Sequence, residues 1–281
     1  MRSAKILTAA SIAAVAALAL TGCNSGSPTS PGGGGSTGDT GDGGTETPWT
    51  VATDVSLDGS PTFDDMTSRG RVVIGVKEDQ PGLGFLDVTT GERSGFDIDI
   101  ARWIAASLGF DQDKIDYKPI ASANREQAIV NGEIDYYVGT YSITDKRKQQ
   151  IDFAGPYFVT GQGFLVRTDS GIDDVTDISD FNGKTVCSAT GSTPIANIKQ
   201  NYPEIKTEEY DLYSACVEDL INGKVDAVTT DQAILIGYAA QNPDELKVVG
   251  GLFTDGHDIW QAIFDTNLGS SGIQVEQPTV D

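Results

Sequence analysis

The sequence predicts an α/β fold made of two related lobes, and three observations support this prediction. The chain has 281 residues, enough for one large or two medium-sized domains. From about Phe63, short apolar runs alternate with stretches of helical periodicity, a pattern typical of α/β proteins. Residues 131–135 (Asn-Gly-Glu-Ile-Asp) recur as residues 222–226 (Asn-Gly-Lys-Val-Asp), each time between a predicted helix and a predicted strand. Asn-Gly alone is a common helix ending, but the Asp and the strand that follow both copies favour two related lobes.

Each regular element is predicted from its own local pattern. Residues 96–108 form a helix, because Ile100, Ile104 and Leu108 recur every four residues and make one apolar stripe. Residues 124–130 are predicted as a helix that Asn131-Gly132 ends, and residues 213–221 as the corresponding helix of the second lobe. Short runs of mainly apolar residues predict strands at 71–76, 134–138, 184–188 and 225–229.

The first 62 residues are predicted to lie outside the fold. Residues 1–22 begin with positive charge, continue as a short apolar run and end in small residues, as export signals do. The ending Leu-Thr-Gly-Cys resembles a bacterial lipobox, which implies that Cys23 is lipidated; the alternative is an ordinary signal peptide with an incidental cysteine. Residues 23–62 are rich in Gly, Ser and Thr and predict a flexible tether.

Composition excludes several classes of function. Nineteen basic residues face 41 acidic ones, and the resulting net charge of −22 argues against a nucleic-acid partner. A single histidine argues against most histidine-dependent metal sites and against a Ser-His-Asp hydrolase, and no cofactor is expected. If Cys23 carries lipid, Cys187 and Cys216 remain, and an exported chain usually pairs them; the alternative is two buried thiols.

Polar residues follow the predicted strands, at the edge where open α/β sheets bind ligands. Thr193-Pro194 resembles an N-cap followed by proline, which leaves backbone N–H groups free for a carboxylate. Arg147 is expected at the same edge, because residues 144–147 open a short helix. Arginine can bind a carboxylate through two hydrogen bonds and aspartate can pair with an ammonium, so this set suits a zwitterion. The residues that follow the strands are Lys77, Thr140, Tyr141, Ser142, Gly191, Ser192, Thr193 and Asp231.

Several motifs in the same order resemble one known family. Residues 95–100 (Gly-Phe-Asp-Ile-Asp-Ile) are similar to the signature of family 3 of the bacterial extracellular solute-binding proteins, which are polar-amino-acid receptors of ABC importers. Residues 140–147 (Thr-Tyr-Ser-Ile-Thr-Asp-Lys-Arg) resemble that family's carboxylate-binding segment. Residues 183–186, 191–193 and 225–231 resemble parts of its second lobe, so the similarity covers about residues 71–251.

The resemblance implies a type II periplasmic-binding-protein clamshell: a monomeric receptor, not an enzyme, that closes on an amino acid and presents it to an ABC permease. It would be held by lipid at the outer face of the cell membrane. Lobe 1 is expected at residues 63–162 plus 255–281, and lobe 2 at residues 163–254. The resemblance assigns the ligand's α-carboxylate to Arg147, Thr140, Ser142 and the Ser192-Thr193 turn, and its α-ammonium to Asp231.

Two further cations suggest which amino acid is bound. Lys77 occupies a position where relatives that bind basic amino acids tend to carry an acid, and Arg125 resembles the arginine that receptors for acidic amino acids place on the side-chain carboxylate. A second ligand carboxylate needs such a cation, because an unpaired charge in a closed cleft is costly. Glutamate or aspartate is therefore the hypothesis, and solvated surface cations are the alternative.

The C-terminal region departs from the family pattern. Residues 259–265 resemble the family's final helix and follow residue 253 almost directly, which predicts that an internal stretch is missing. Two other functions stay open: an amino-acid-sensing lipoprotein, and a small-acid dehydratase on the same scaffold with Asp231 as its acid or base.

Overall fold

The computed structural model describes residues 49–173 and 175–253, together with the backbone of residues 258–264. The predicted signal peptide, the predicted lipidation site Cys23 and the tether as far as residue 48 lie outside the described residues. Among the residues that are described, no helix is long and apolar enough to cross a bilayer.

The described residues form helices and strands in the alternating order that the sequence predicts. The helices are α1 (Pro61–Arg69), α2 (Phe96–Ser107), α3 (Arg125–Val130), α4 (Thr193–Asn201), α5 (Tyr213–Ile221) and α6 (Gln232–Gln241). The strands are β1 (Val72–Val76), β2 (Phe85–Leu86), β3 (Arg93–Ser94), β4 (Ile115–Pro119), β5 (Tyr136–Tyr137), β6 (Asp152–Thr160), β7 (Gln162–Arg167), β8 (Thr185–Ala189), β9 (Lys206–Tyr210), β10 (Ala227–Asp231), β11 (Leu246–Val249) and β12 (Asp258–Phe264).

Two five-stranded sheets define the two lobes. The first lobe has the strand order β4-β1-β5-β12-β6 and carries α1, α2 and α3, whereas the second has the order β11-β7-β10-β8-β9 and carries α4, α5 and α6. In each sheet the strands that lead toward the predicted site are parallel. In the first sheet β1 is parallel to β4 and β5, and in the second sheet β8 is parallel to β9 and β10. The type II clamshell architecture predicted from the sequence is therefore confirmed.

The repeated Asn-Gly segment has the same structure in both lobes. Gly132 and Gly223 end α3 and α5 with φ angles of 67° and 69°, a left-handed conformation that glycine adopts without steric cost. The Asp135 carboxylate then accepts a hydrogen bond from the Val73 backbone N–H at 2.6 Å. Asp226 accepts the equivalent bond from Thr185 at 2.8 Å. Each aspartate thus ties the chain after a helix to the start of the neighbouring strand, which explains why the segment recurs.

The fold begins before residue 63, so the predicted end of the tether at Thr62 is wrong. The Ala52 N–H donates to the Ala106 carbonyl at 2.8 Å, and Val55 and Leu57 pack against the first lobe's core. Ser60 caps α1 by accepting a hydrogen bond from the Phe63 N–H at 3.2 Å. The physical reason is that the apolar side chains near residue 55 bury surface, and Ser60 followed by proline starts a helix.

Residues 258–264 form strand β12, so the prediction that residues 259–265 form a helix is wrong. β12 pairs antiparallel with β6 along most of its length and with β5 at residues 263 and 264. It therefore returns the chain from the second lobe to the first sheet, between β5 and β6. The expectation of a missing internal stretch rested on that helix and loses its basis.

Cys187 and Cys216 form a disulfide, as predicted, with a Cα–Cα distance of 5.5 Å. The bond joins β8 to α5, and both cysteines lie in an apolar core cluster of the second lobe.

Candidate functional site

The predicted site residues come together between the two lobes. The first lobe contributes Lys77 after β1, Arg125 at the start of α3, and residues 140–147 after β5, and the second contributes residues 191–193 and 231. Thr193 is partly buried, and the other predicted site side chains are at most 7% exposed, apart from Gly191. Because Lys77 and Arg125 are each only 2% exposed, the alternative that they are solvated surface cations is wrong.

Direct hydrogen bonds join the lobes at this site. The hydroxyls of Ser142 and Thr193 lie 2.9 Å apart, and Arg147 Nη2 donates to the Gly191 carbonyl at 3.1 Å. Asp79 also reaches across, because its Oδ2 accepts from the Ser214 backbone N–H at 3.1 Å. The structure therefore shows the two lobes in contact around the site residues.

Two arginines lie over the ring of one tyrosine. The guanidinium carbons of Arg125 and Arg147 are 4.1 and 4.0 Å from the centroid of the Tyr141 ring. Arg125 donates to the Ser122 and Thr140 carbonyls at 2.9 and 3.0 Å, and Arg147 Nη1 donates to the Ser142 carbonyl at 2.6 Å. The ring face attracts each cation, and the backbone acceptors fix its orientation. Tyr141 thus positions both arginines.

Two of the buried cations at the site form no ion pair with the described residues. Arg147 forms an ion pair with Glu126 at 3.3 Å, whereas neither Lys77 nor Arg125 forms one with any carboxylate in the described part of the chain. Burial, and secondly the charge of Arg125, lower the pKa of Lys77 to about 7. The same two causes lower the pKa of Arg147. Buried cations without an acid are unfavourable, so this arrangement favours an anionic ligand.

Ser122 links Lys77 and Arg125, the two cations that form no ion pair among the residues described. Lys77 Nζ donates to Ser122 Oγ at 2.7 Å, while Arg125 Nε donates to the carbonyl of the same residue. The two positive groups are therefore held side by side in the first lobe.

The second lobe presents a helix N-terminus and a carboxylate. Ser192, rather than Thr193 as predicted, is the N-cap of α4, and its hydroxyl accepts from the Ile195 N–H at 3.3 Å. Pro194 consequently lies one position further into the helix than predicted, and the Thr193 hydroxyl is available to reach Ser142. Asp231 ends β10 at the start of α6 and is 3% exposed.

One further residue at the site, Gln80, was not predicted from the sequence; it is fully buried in the loop after β1. Its Oε1 accepts a hydrogen bond from the Thr140 hydroxyl at 2.9 Å. The one signal for Gln80 in the sequence is its position three residues after Lys77.

Comparison with known proteins finds one matching family. Residues 72–268 match the family model of bacterial extracellular solute-binding proteins, family 3. The chain is 44% identical over 186 residues to the glutamate-binding protein GluB of Corynebacterium efficiens, an alignment that covers 64% of this chain and 62% of that protein. It is 40% identical to a glutamine-binding protein of Geobacillus stearothermophilus, over 66% of this chain and 70% of that protein. Among solved structures, an ancestral arginine-binding protein bound to arginine is 33% identical, with a TM-score of 0.64, over 70% of this chain and 85% of that one.

Proposed function

The chain belongs to family 3 of the bacterial extracellular solute-binding proteins, and from this premise we propose that it is a receptor for glutamate or aspartate that serves an ABC importer. Members of this family are receptors rather than enzymes, and the relatives that match over most of this chain include glutamate- and glutamine-binding proteins. Lipid on Cys23 would hold the receptor at the outer face of the cell membrane, and the permease would take the ligand from the closed form.

The observation that carries the choice of ligand is a pair of buried cations, Lys77 and Arg125, that form no ion pair within the part of the chain that the structure describes. Arg147 is suited to the α-carboxylate and Asp231 to the α-ammonium, which leaves Lys77 and Arg125 for a second carboxylate. Glutamate or aspartate would supply it. Glutamine would leave Lys77 and Arg125 buried without an ion-pair partner.

Thr140 takes a different role from the one that the resemblance implied. Its hydroxyl proton is donated to Gln80, so its oxygen has lone pairs but no proton to offer a ligand. Such an oxygen suits the α-ammonium beside Asp231 rather than the α-carboxylate. The α-carboxylate would still be bound by Arg147, Ser142 and the N-terminus of α4.

Calorimetric titration of the purified protein with glutamate, aspartate, glutamine, arginine and histidine tests the proposal. We expect an acidic amino acid to bind most tightly. Arg125→Met should weaken its binding at least about 30-fold, because it removes one partner of a buried charge pair. Arg71→Met is the matched control, since Arg71 is an exposed arginine paired with Asp116. Tightest binding to a neutral or basic amino acid would contradict the proposal.

A further inference from the structure

Gln80 has a buried amide of which only one end is satisfied. Its oxygen accepts from Thr140, but its nitrogen Nε2 is buried and has no hydrogen-bond partner among the described residues. Leaving a buried donor unpaired is unfavourable, so native structures rarely keep one without a reason. The two N–H groups of Gln80 therefore point to an acceptor that the described residues do not supply.

The position of Gln80 identifies where that acceptor lies. Its amide contacts Thr140, which directly precedes the Tyr141 ring that positions both arginines. Its loop also contacts the second lobe, since the Tyr238 hydroxyl donates to the Asp79 carbonyl next to it. Gln80 thus lies where the first lobe meets the second, beside the residues assigned to the ligand.

A glutamine amide can direct either its oxygen or its nitrogen toward a ligand, and a neighbouring hydrogen-bonding group determines which. Here Thr140 determines the orientation of the amide, because its hydroxyl donates to Gln80 Oε1 and leaves Nε2 facing away from Thr140. A ligand ammonium that donates to the Thr140 oxygen would hold the hydroxyl in this direction. The orientation of Gln80 would then follow from the α-ammonium of the ligand.

We propose that Thr140 and Gln80 together distinguish a ligand side-chain carboxylate from a side-chain amide. This inference rests on the proposed function and deepens it. With Gln80 fixed in this orientation, the groups that the site offers to the ligand side chain are hydrogen-bond donors: Gln80 Nε2 and the cations Lys77 and Arg125. A carboxylate can accept from all of them, whereas the NH₂ group of a ligand amide would oppose a donor and lose its own hydrogen bonds.

The test measures the ratio of the Kd for glutamine to the Kd for glutamate in three proteins. Thr140→Val removes the hydroxyl at nearly constant volume, so Gln80 can turn and offer its oxygen to a ligand amide. We expect the ratio to fall about tenfold or more, on the scale of one buried hydrogen bond that is lost and replaced. Thr140→Ser keeps the hydroxyl and should keep the wild-type ratio within about threefold. Loss of the Thr140 contact to the ammonium affects both ligands alike and cancels in the ratio.

The outcomes separate this inference from the function on which it rests. If the wild-type protein prefers glutamate and the ratio is unchanged in Thr140→Val, the Gln80 assignment is overturned while the glutamate receptor stands. If the wild-type protein binds glutamine more tightly, both are overturned. Gln80→Met, which removes the donor, gives a second measurement if Thr140→Val does not fold. Its glutamate affinity should fall about tenfold, and an unchanged affinity would overturn the inference.

Discussion

At the residue scale, the buried amine of Lys77 is subject to opposing influences. Burial and Arg125 lower its pKa to about 7, while the nearby carboxylates of Asp79 and Asp211 raise it. In this closed arrangement without ligand, the amine therefore carries its charge only part of the time at neutral pH. A ligand carboxylate beside it would favour the charged form and raise the pKa again.

This coupling predicts that glutamate affinity falls as the pH rises above about 7. The complex would hold a proton that the closed protein without ligand has lost, so the affinity should decrease by up to about tenfold per pH unit between pH 7 and 8.5. Calorimetry in buffers of different ionisation enthalpy would measure the proton uptake directly. Lys77→Arg keeps its charge over this range and should show a much flatter profile. An affinity in the wild-type protein that is constant from pH 6 to 8.5 would contradict the assignment.

Most of the site was predictable at this scale, and Gln80 was not. Lys77, residues 140–142 and Asp231 follow or end strands, and ligands bind at that edge of an α/β sheet, so their positions follow from the strand pattern. Gln80 lies in an irregular loop without periodicity, and its importance comes from a hydrogen bond to a residue 60 positions away. A contact of that kind depends on the folded structure and leaves no local pattern in the sequence.

At the element scale, local patterns predicted some elements well and misjudged others. The predicted bounds of α5 are those observed, because its apolar periodicity and its Asn-Gly ending are local features. The apolar run in β12 fits a helix or a strand equally well over seven residues. Its pairing with β6 (Asp152–Thr160) and β5 (Tyr136–Tyr137), which lie much earlier in the chain, makes it a strand. Because this pairing is between segments far apart in the sequence, the local pattern could not indicate it, and the predicted helix at 259–265 was wrong.

The disulfide between β8 and α5 should stabilise the second lobe substantially. It closes a loop with a sequence separation of 29 residues, for which the loss of chain entropy in the unfolded state corresponds to about 3–4 kcal/mol. Urea unfolding in the presence of a reductant should therefore show a free energy of unfolding lower by about this amount. The double variant Cys187→Ala with Cys216→Ala is the control, because the reductant should not change its unfolding. An identical midpoint for the wild-type protein with and without reductant would contradict the expectation.

At the scale of the whole molecule, the contacts between the lobes extend beyond the ligand residues. Leu212, the N-cap of α5, makes no side-chain cap, and the Asp79 carboxylate of the first lobe accepts from the Ser214 N–H of that helix instead. Leu83 of the first lobe is buried in a core cluster of the second. These contacts require the closed arrangement, so their free energy adds to that of ligand binding when the lobes close.

Gly237 offers a way to separate closure from folding stability. A Cβ atom at this position in α6 would lie 2.2 Å from the Pro81 carbonyl oxygen of the first lobe, so the closed arrangement has no room for it. Alanine is nevertheless favoured over glycine in a helix by about 1 kcal/mol. Gly237→Ala should therefore weaken glutamate binding about tenfold or more, while the ligand-free protein unfolds at an equal or higher urea concentration.

The matched control for that substitution is Gly251→Ala, because a Cβ atom there meets nothing within 4 Å. Its glutamate affinity should equal that of the wild-type protein. If Gly237→Ala binds glutamate as tightly as the control, the approach of Pro81 to α6 is not needed in the ligand-bound form. If it lowers both affinity and stability, the glycine serves the fold rather than closure. Weaker glutamate binding with an undiminished free energy of unfolding would show that Gly237 is needed for closure. A change confined to the lobe interface leaves each lobe's own core intact, so it should not lower the stability of the ligand-free protein.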